Sequence, residues 1–199
     1  MKHLSCGFGN NVVIRTILRA FLLIPALTML GCAVSSQSSQ RPLQSDLANL
    51  AKYRNWTLVN PTPDLMEPVA ASSCAIISGQ QEPSPHLSKY ISVFVNPVAR
   101  EEMMTKGSPK FPIGSMIVKQ KLGSADSTTP ELLTAMIKRG PGYNPESGDW
   151  EYLVLDGIAS KIIEQGKLKE CSGCHRSYKH SDFVTRTYLP QTVQDKLQP

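Results

Sequence analysis

Leu132-Leu-Thr-Ala-Met-Ile-Lys-Arg-Gly-Pro-Gly-Tyr-Asn-Pro-Glu-Ser-Gly-Asp-Trp-Glu-Tyr-Leu-Val-Leu155 decides the fold. Two short apolar runs, 132–138 and 150–155, flank a Gly/Pro/Asn turn at Gly140–Gly148, the signature of two antiparallel strands joined as a hairpin. Outward from it, Ser115-Met-Ile-Val-Lys-Gln-Lys121 reads as another strand. So does Tyr90-Ile-Ser-Val-Phe-Val-Asn96, with Ile91, Val93 and Val95 on one face because side chains alternate along a strand. Pro97–Lys106 predicts a short helix and Gly107–Gly114 a turn-rich loop. Leu43–Lys52 has apolar residues at 43, 47, 50 and 51, which is helical spacing. Residues 53–60 turn toward extended structure, and the proline-rich 60–68 reads as loop. The class is α+β and β-rich: an antiparallel sheet with a few marginal helices.

The length of 199 residues predicts one domain. The formal charge of +5 is partly local. Lys2, Arg15 and Arg19 fall in residues 1–31, which hold no acid, so 18 basic residues face 16 acidic ones in the rest. With no Lys/Arg run and no basic–aromatic interleaving, nucleic acid is not an expected partner.

Residues 1–19 carry those three charges, and Ala20–Leu30 is an eleven-residue apolar run. That fits a signal-peptide core and is too short for a membrane span of roughly 20 residues. Gly31-Cys32 follows, then the polar Ala33-Val-Ser-Ser-Gln-Ser-Ser-Gln. This pattern resembles a bacterial lipoprotein signal. The resemblance implies a signal peptide at 1–31, lipidation of Cys32, a tether over 32–44, and a lipid-anchored, periplasm-facing protein. Ala33 favours the outer membrane by the same resemblance. A plain signal peptide, or an uncleaved anchor with Cys32 incidental, is the competing reading.

The strongest chemical signal is Cys171-Ser-Gly-Cys174-His175. Two thiols at this spacing can add across the two vinyl groups of one haem, and the adjacent imidazole can ligate its iron. Three readings compete: a redox pair, which lacks a βαβ context; a zinc site, which needs two more ligands such as Cys74 and His180; and a disulfide across two residues. Cys74 is left over and reads as a buried thiol.

In order, Tyr53-Arg-Asn-Trp56, Val93-Phe-Val-Asn-Pro97, Phe111-Pro-Ile-Gly-Ser-Met-Ile-Val-Lys119, Gly148-Asp-Trp150, the haem motif, Ser181-Asp-Phe-Val184 and Tyr188-Leu-Pro190 resemble the cytochrome P-460 family, over about residues 45–192. A tail is left at 193–199. The resemblance implies one covalently attached haem c packed on the sheet and a homodimer. It implies five-coordinate iron with His175 below and an open face above, where a small gaseous or nitrogenous ligand such as nitric oxide or hydroxylamine binds. It puts Lys119 at the place of a lysine that the enzymes join to the porphyrin; a solvated strand-end lysine is the plain alternative, and the cross-link stays open. It puts Thr134 and Ile91, as the distal wall, where the enzymes carry an acid and an arginine. Threonine cannot take a proton, and the nearest acid in sequence is Glu131, so nitric oxide is the preferred ligand over efficient hydroxylamine oxidation.

The alternative is a membrane-anchored electron carrier whose iron has a sixth ligand, His86 or one of Met103, Met104, Met116 and Met136. His180 is expected on the surface near the haem edge. Asp182 reads either as a turn residue or as a hydrogen-bond partner of a backbone group or of the imidazole.

Overall fold

A computed structural model describes residues 40–66 and 89–197. Cys32, Cys74 and His86 lie outside them. A seven-stranded antiparallel sheet organises the described residues. Its strands are β1 (Thr57–Leu58), β2 (Asp64–Leu65), β3 (Tyr90–Val95), β4 (Met116–Leu122), β5 (Leu132–Lys138), β6 (Trp150–Asp156) and β7 (Ile162–Gly166). The order is β1-β3-β4-β5-β6-β7, with β2 also paired to β3. The helices are α1 (Gln40–Leu50), α2 (Pro97–Met104), α3 (Lys169–His175) and α4 (Gln191–Leu197), with a 3-10 stretch at Arg176–Ser181.

The four strands read from the sequence are present, and β5 and β6 form the expected hairpin from Leu132↔Asp156 to Lys138↔Trp150. Three differences stand out. The 60–68 segment contains β2, paired to Ile91 and Tyr90. A further strand, β7, closes the sheet beside β6. The tail is helical, and Val193 and Leu197 pack against the core.

Register divides the sheet into two buried faces. On one, Val95, Ile117, Met136 and Tyr152 form one row, and Val93, Lys119 and Thr134 the next. Trp150, Tyr152, Phe183, Val184 and Leu189 share a core on this side. On the other, Met116, Val118, Leu133, Ala135, Leu153 and Leu155 pack with Leu50 of α1 and Tyr53. A strand covered on both sides needs apolar residues in succession rather than alternation. That explains Tyr152-Leu-Val-Leu155, where burial is nearly unbroken.

Polar side chains set the joints. Asn96 Oδ1 caps α2 by accepting from Ala99 N and also accepts from Met116 N, while its Nδ2 donates to Gly114 O at 2.9 Å. Pro97 at the first turn of α2 loses no helical bond. Arg139 ties α1 to β6 by donating to Asp46 at 2.5 Å and to Glu151.

Candidate functional site

The face that carries Lys119 opens into a cavity of about 490 Å³, within the roughly 300–1,000 Å³ of small-ligand and cofactor sites. Alternation along β3, β4 and β5 aims Val93, Ile117, Lys119, Thr134 and Met136 into it, and β6 adds Tyr152. The opposite wall is the haem motif itself. Helix α3 carries Cys171, Cys174 and His175 to the cavity, with Glu170 beside them. The segment after it supplies Tyr178, Val184 and Tyr188, and β2 supplies Asp64, Leu65 and Met66.

His175 is oriented by one bond. Its Nδ1 lies 2.7 Å from the carbonyl oxygen of Phe183. A carbonyl only accepts, so Nδ1 carries the proton and Nε2 keeps its lone pair for another partner. Burial, reinforced by the charge of Lys119 and opposed by the Phe183 bond, pushes the imidazole pKa down to about 4. The ring keeps some exposure toward the cavity. It is therefore neutral near pH 7, the form that binds a metal. The Tyr152 ring leans on it at 5.4 Å between centroids.

The turn that presents Phe183 is braced from afar. Asp182 and Phe183 are both left-handed, with φ of 54° and 65°. The Asp182 carboxylate accepts from Phe111 N at 2.8 Å and from Lys138 Nζ at 2.7 Å. Its carbonyl accepts from Trp150 Nε1 at 2.7 Å. Of the readings for Asp182, the backbone hydrogen bond, to Phe111 N, and the turn position are both observed, while the imidazole's partner is the Phe183 carbonyl.

Cys171 is a half-buried free thiol facing the cavity. Burial raises its pKa to about 11 against the pull of Lys121. Cys174, three residues on, lines the same cavity.

Lys119 is half-buried; its Nζ donates to Tyr188 Oη at 3.1 Å and lies 4.9 Å from that ring's centre. Thr134, its register partner, lines the cavity. Ile91 does not: it is fully buried in the core and is not among the lining residues. Glu131 pairs with Lys89 on the surface instead of facing the site. The carboxylates that reach the cavity are Asp64 and Glu170. Asp64 was hidden because its facing depends on the β2–β3 pairing, and Glu170 because it depends on α3. Of the four candidate methionines, Met136 lines the cavity, Met103 is core with Met104 packed against it, and Met116 belongs to the other face. Met66 is an unforeseen lining residue. His180 is exposed.

The residues fit a haem. A largely apolar cavity wall, a thiol on the facing helix and a neutral imidazole with its outer nitrogen uncommitted are the donor set such a group requires. Together fold and site define a β-rich cytochrome. The chain belongs to the cytochrome P460 family, whose model matches residues 51–186, and its cofactor is accordingly a haem. Among curated proteins none matches the chain.

Proposed function

We propose that this protein carries one haem c, bound through Cys171 and Cys174 and ligated by His175, and takes up nitric oxide or a related small nitrogen species on the iron's open face. The observation that carries the reading is the Phe183 carbonyl on His175 Nδ1, which commits the inner nitrogen and leaves Nε2 for iron. Val93, Ile117 and Met136 give an apolar wall, and Thr134, to which the family resemblance gives the place of a proton-taking acid, lines the cavity with them. The cavity's carboxylates, Asp64 and Glu170, come from β2 and α3 rather than from β5, so the wall beside Thr134 suits a small neutral gas better than a substrate that must be deprotonated.

Haem staining on a denaturing gel tests attachment in protein matured with the haem-attachment machinery. The absorption spectrum of the reduced protein with carbon monoxide or nitric oxide tests the open face. A shifted Soret band is the expected result; a spectrum indifferent to both gases would overturn the five-coordinate reading. Comparing the spectrum and mass with those of Lys119→Ala decides whether Lys119 is joined to the porphyrin.

The second reading, a six-coordinate electron carrier, draws support from Met66 and Met136, both on the cavity wall. It predicts the indifferent spectrum, and Met136→Ala or Met66→Ala would then restore gas binding.

The N-terminal pattern supports export and anchoring through Cys32, facing the periplasm from the outer membrane. Cys32→Ser should move the protein from the membrane fraction to the soluble one. A homodimer is the oligomeric state in this reading, checked by light scattering of the haem-loaded protein.

A further inference from the structure

The segment after the haem motif holds an unfavourable shape. Asp182 and Phe183 are successive left-handed residues, with φ of 54° and 65°; aspartate tolerates that region, but a bulky phenylalanine does not. Such a pair persists only where its surroundings over-determine it. Here those surroundings come from three distant parts of the chain. Phe111 N, from the loop before β4, donates to Asp182 Oδ2 at 2.8 Å. Lys138 Nζ, at the end of β5, donates to both carboxylate oxygens at 2.7 and 2.8 Å. Trp150 Nε1, at the start of β6, donates to the Asp182 carbonyl at 2.7 Å. The pair is well buried, with side-chain exposures of 13% for Lys138 and 9% for Asp182.

The result of this bracing is the direction of one carbonyl. Phe183 follows Asp182, and its oxygen receives His175 Nδ1 at 2.7 Å. A partner on the inner nitrogen of a ligating histidine fixes the ring's orientation and strengthens the outer nitrogen as a donor. We propose that Asp182 is the positioning residue of the proximal histidine: clamped by Phe111 and Lys138, it holds the Phe183 carbonyl on His175 and so sets how strongly the imidazole binds iron. This rests on His175 being the iron ligand.

The carboxylate does not touch the ring. The Lys138 ammonium beside it offsets its charge, so the effect on iron is transmitted through geometry. Removing the clamp should loosen the Phe183 carbonyl, weaken the hydrogen bond and make the imidazole a poorer donor. A poorer donor stabilises ferric iron less.

The test uses the haem-loaded full-length protein as wild type, Asp182→Ala, Asp182→Asn and Arg139→Met. Two readouts are taken: the iron–imidazole stretching frequency of the reduced protein by resonance Raman, and the midpoint potential. Asp182→Ala should lower the frequency and raise the potential. Asp182→Asn, which can still accept from Phe111 N but loses the charge pairing with Lys138, should shift both in the same direction by less. Arg139→Met, which removes an ion-pair junction elsewhere, should lower stability and leave both readouts at wild-type values. If Asp182→Ala does not fold, Asp182→Asn decides. Wild-type frequency and potential in the folded Asp182 variants would overturn the proposal. A shift of equal size in Arg139→Met would also overturn it, by showing a general loosening. A wild-type protein without haem would instead remove the functional reading on which the proposal stands.

Discussion

The indole N–H of Trp150 donates to the main-chain oxygen of Asp182 at 2.7 Å, joining the start of β6 to the loop that follows the haem motif, 32 residues away. Phe111 stacks edge-on against the same indole at 5.5 Å and sends its own N–H to the Asp182 carboxylate. Lys138 lies over the Trp150 ring at 5.0 Å while it pairs with Asp182. A hairpin, a loop and the haem segment therefore meet at one buried point.

Gly148 marks how tightly they meet. It is left-handed, with φ of 64°, and a Cβ there would lie 2.6 Å from Phe183 Cδ2 and 2.9 Å from Cε2. Gly148→Ala therefore strains the turn and pushes on the ring whose carbonyl holds His175. The expected cost is about 2–4 kcal/mol, combining the left-handed penalty with overpacking. Urea unfolding of wild type and variant checks it. A change below about 0.5 kcal/mol would show that the Phe183 ring yields freely.

Arg139 is the corresponding joint on the other side. It pairs with Asp46 of α1 and Glu151 of β6, both largely buried carboxylates. Tyr143 and Gln165 also donate to Glu151. Arg139→Met keeps an unbranched apolar stem and leaves two carboxylates short of their counter-charge. Breaking a buried pair from one side costs about 3–5 kcal/mol; the Arg139 side chain's 24% exposure reduces the expectation to about 2–4 kcal/mol. The Asp46→Asn, Arg139→Met double mutant should lose less than the sum of the single changes, as a denaturation cycle would reveal.

The parts of this protein legible in its sequence are those whose neighbours are close along the chain or whose pattern is strictly periodic. Strands β3 to β6 carry apolar, β-branched runs, and alternation alone put Lys119 on the face of Ile117. Strand β7, Ile162-Ile-Glu-Gln-Gly166, is a half-exposed edge strand and shows no such pattern. Strand β2 is two residues long among prolines, so its pairing to β3, and with it the facing of Asp64, is a tertiary fact. Helix α3 holds Cys, Ser and Gly, poor helix formers whose conformation packing decides. The segments quoted for the family resemblance were visible as separate strings. What joins them, Asn96 to Gly114 and Met116, and Phe111 and Trp150 to Asp182, could not be read from any one of them.

Asn60 shows a similar joint between β2 and β3. It is buried; its Nδ2 donates to Thr62 O, Asp64 Oδ2 and Ile91 O, and its Oδ1 accepts from Val93 N. Asn60→Ala removes every one of these bonds and strands the buried Ile91 carbonyl and Val93 amide. The expected loss is about 2–3 kcal/mol. Hydrogen exchange should also rise selectively at Val93, and unchanged protection there would contradict this role.

Lys121 gives the protein a distinctive pH response. It is 1% exposed, sits between Ile91 and Leu132 in register, and has no carboxylate among the groups that shift it. Burial, aided by the charges of Lys119 and Lys89 and opposed by Cys171, lowers its pKa to about 7, whereas in the unfolded chain a lysine titrates near 10.4. Between these values the unfolded chain binds a proton that the folded protein does not, so stability rises with pH across that window. Above it Lys121 is neutral in both states and costs nothing; as pH falls toward 7 the penalty grows, and below 7 it is complete. Lys121→Met, of similar length and without the amine, should therefore be more stable than wild type near pH 6 by a few kcal/mol. The advantage should shrink steadily as pH is raised to 9 and beyond. Urea unfolding of both proteins from pH 6 to 9.5 measures the difference directly, and subtraction removes the groups they share. A pH-independent difference would mean that Lys121 finds water or a partner in the folded protein and keeps its charge.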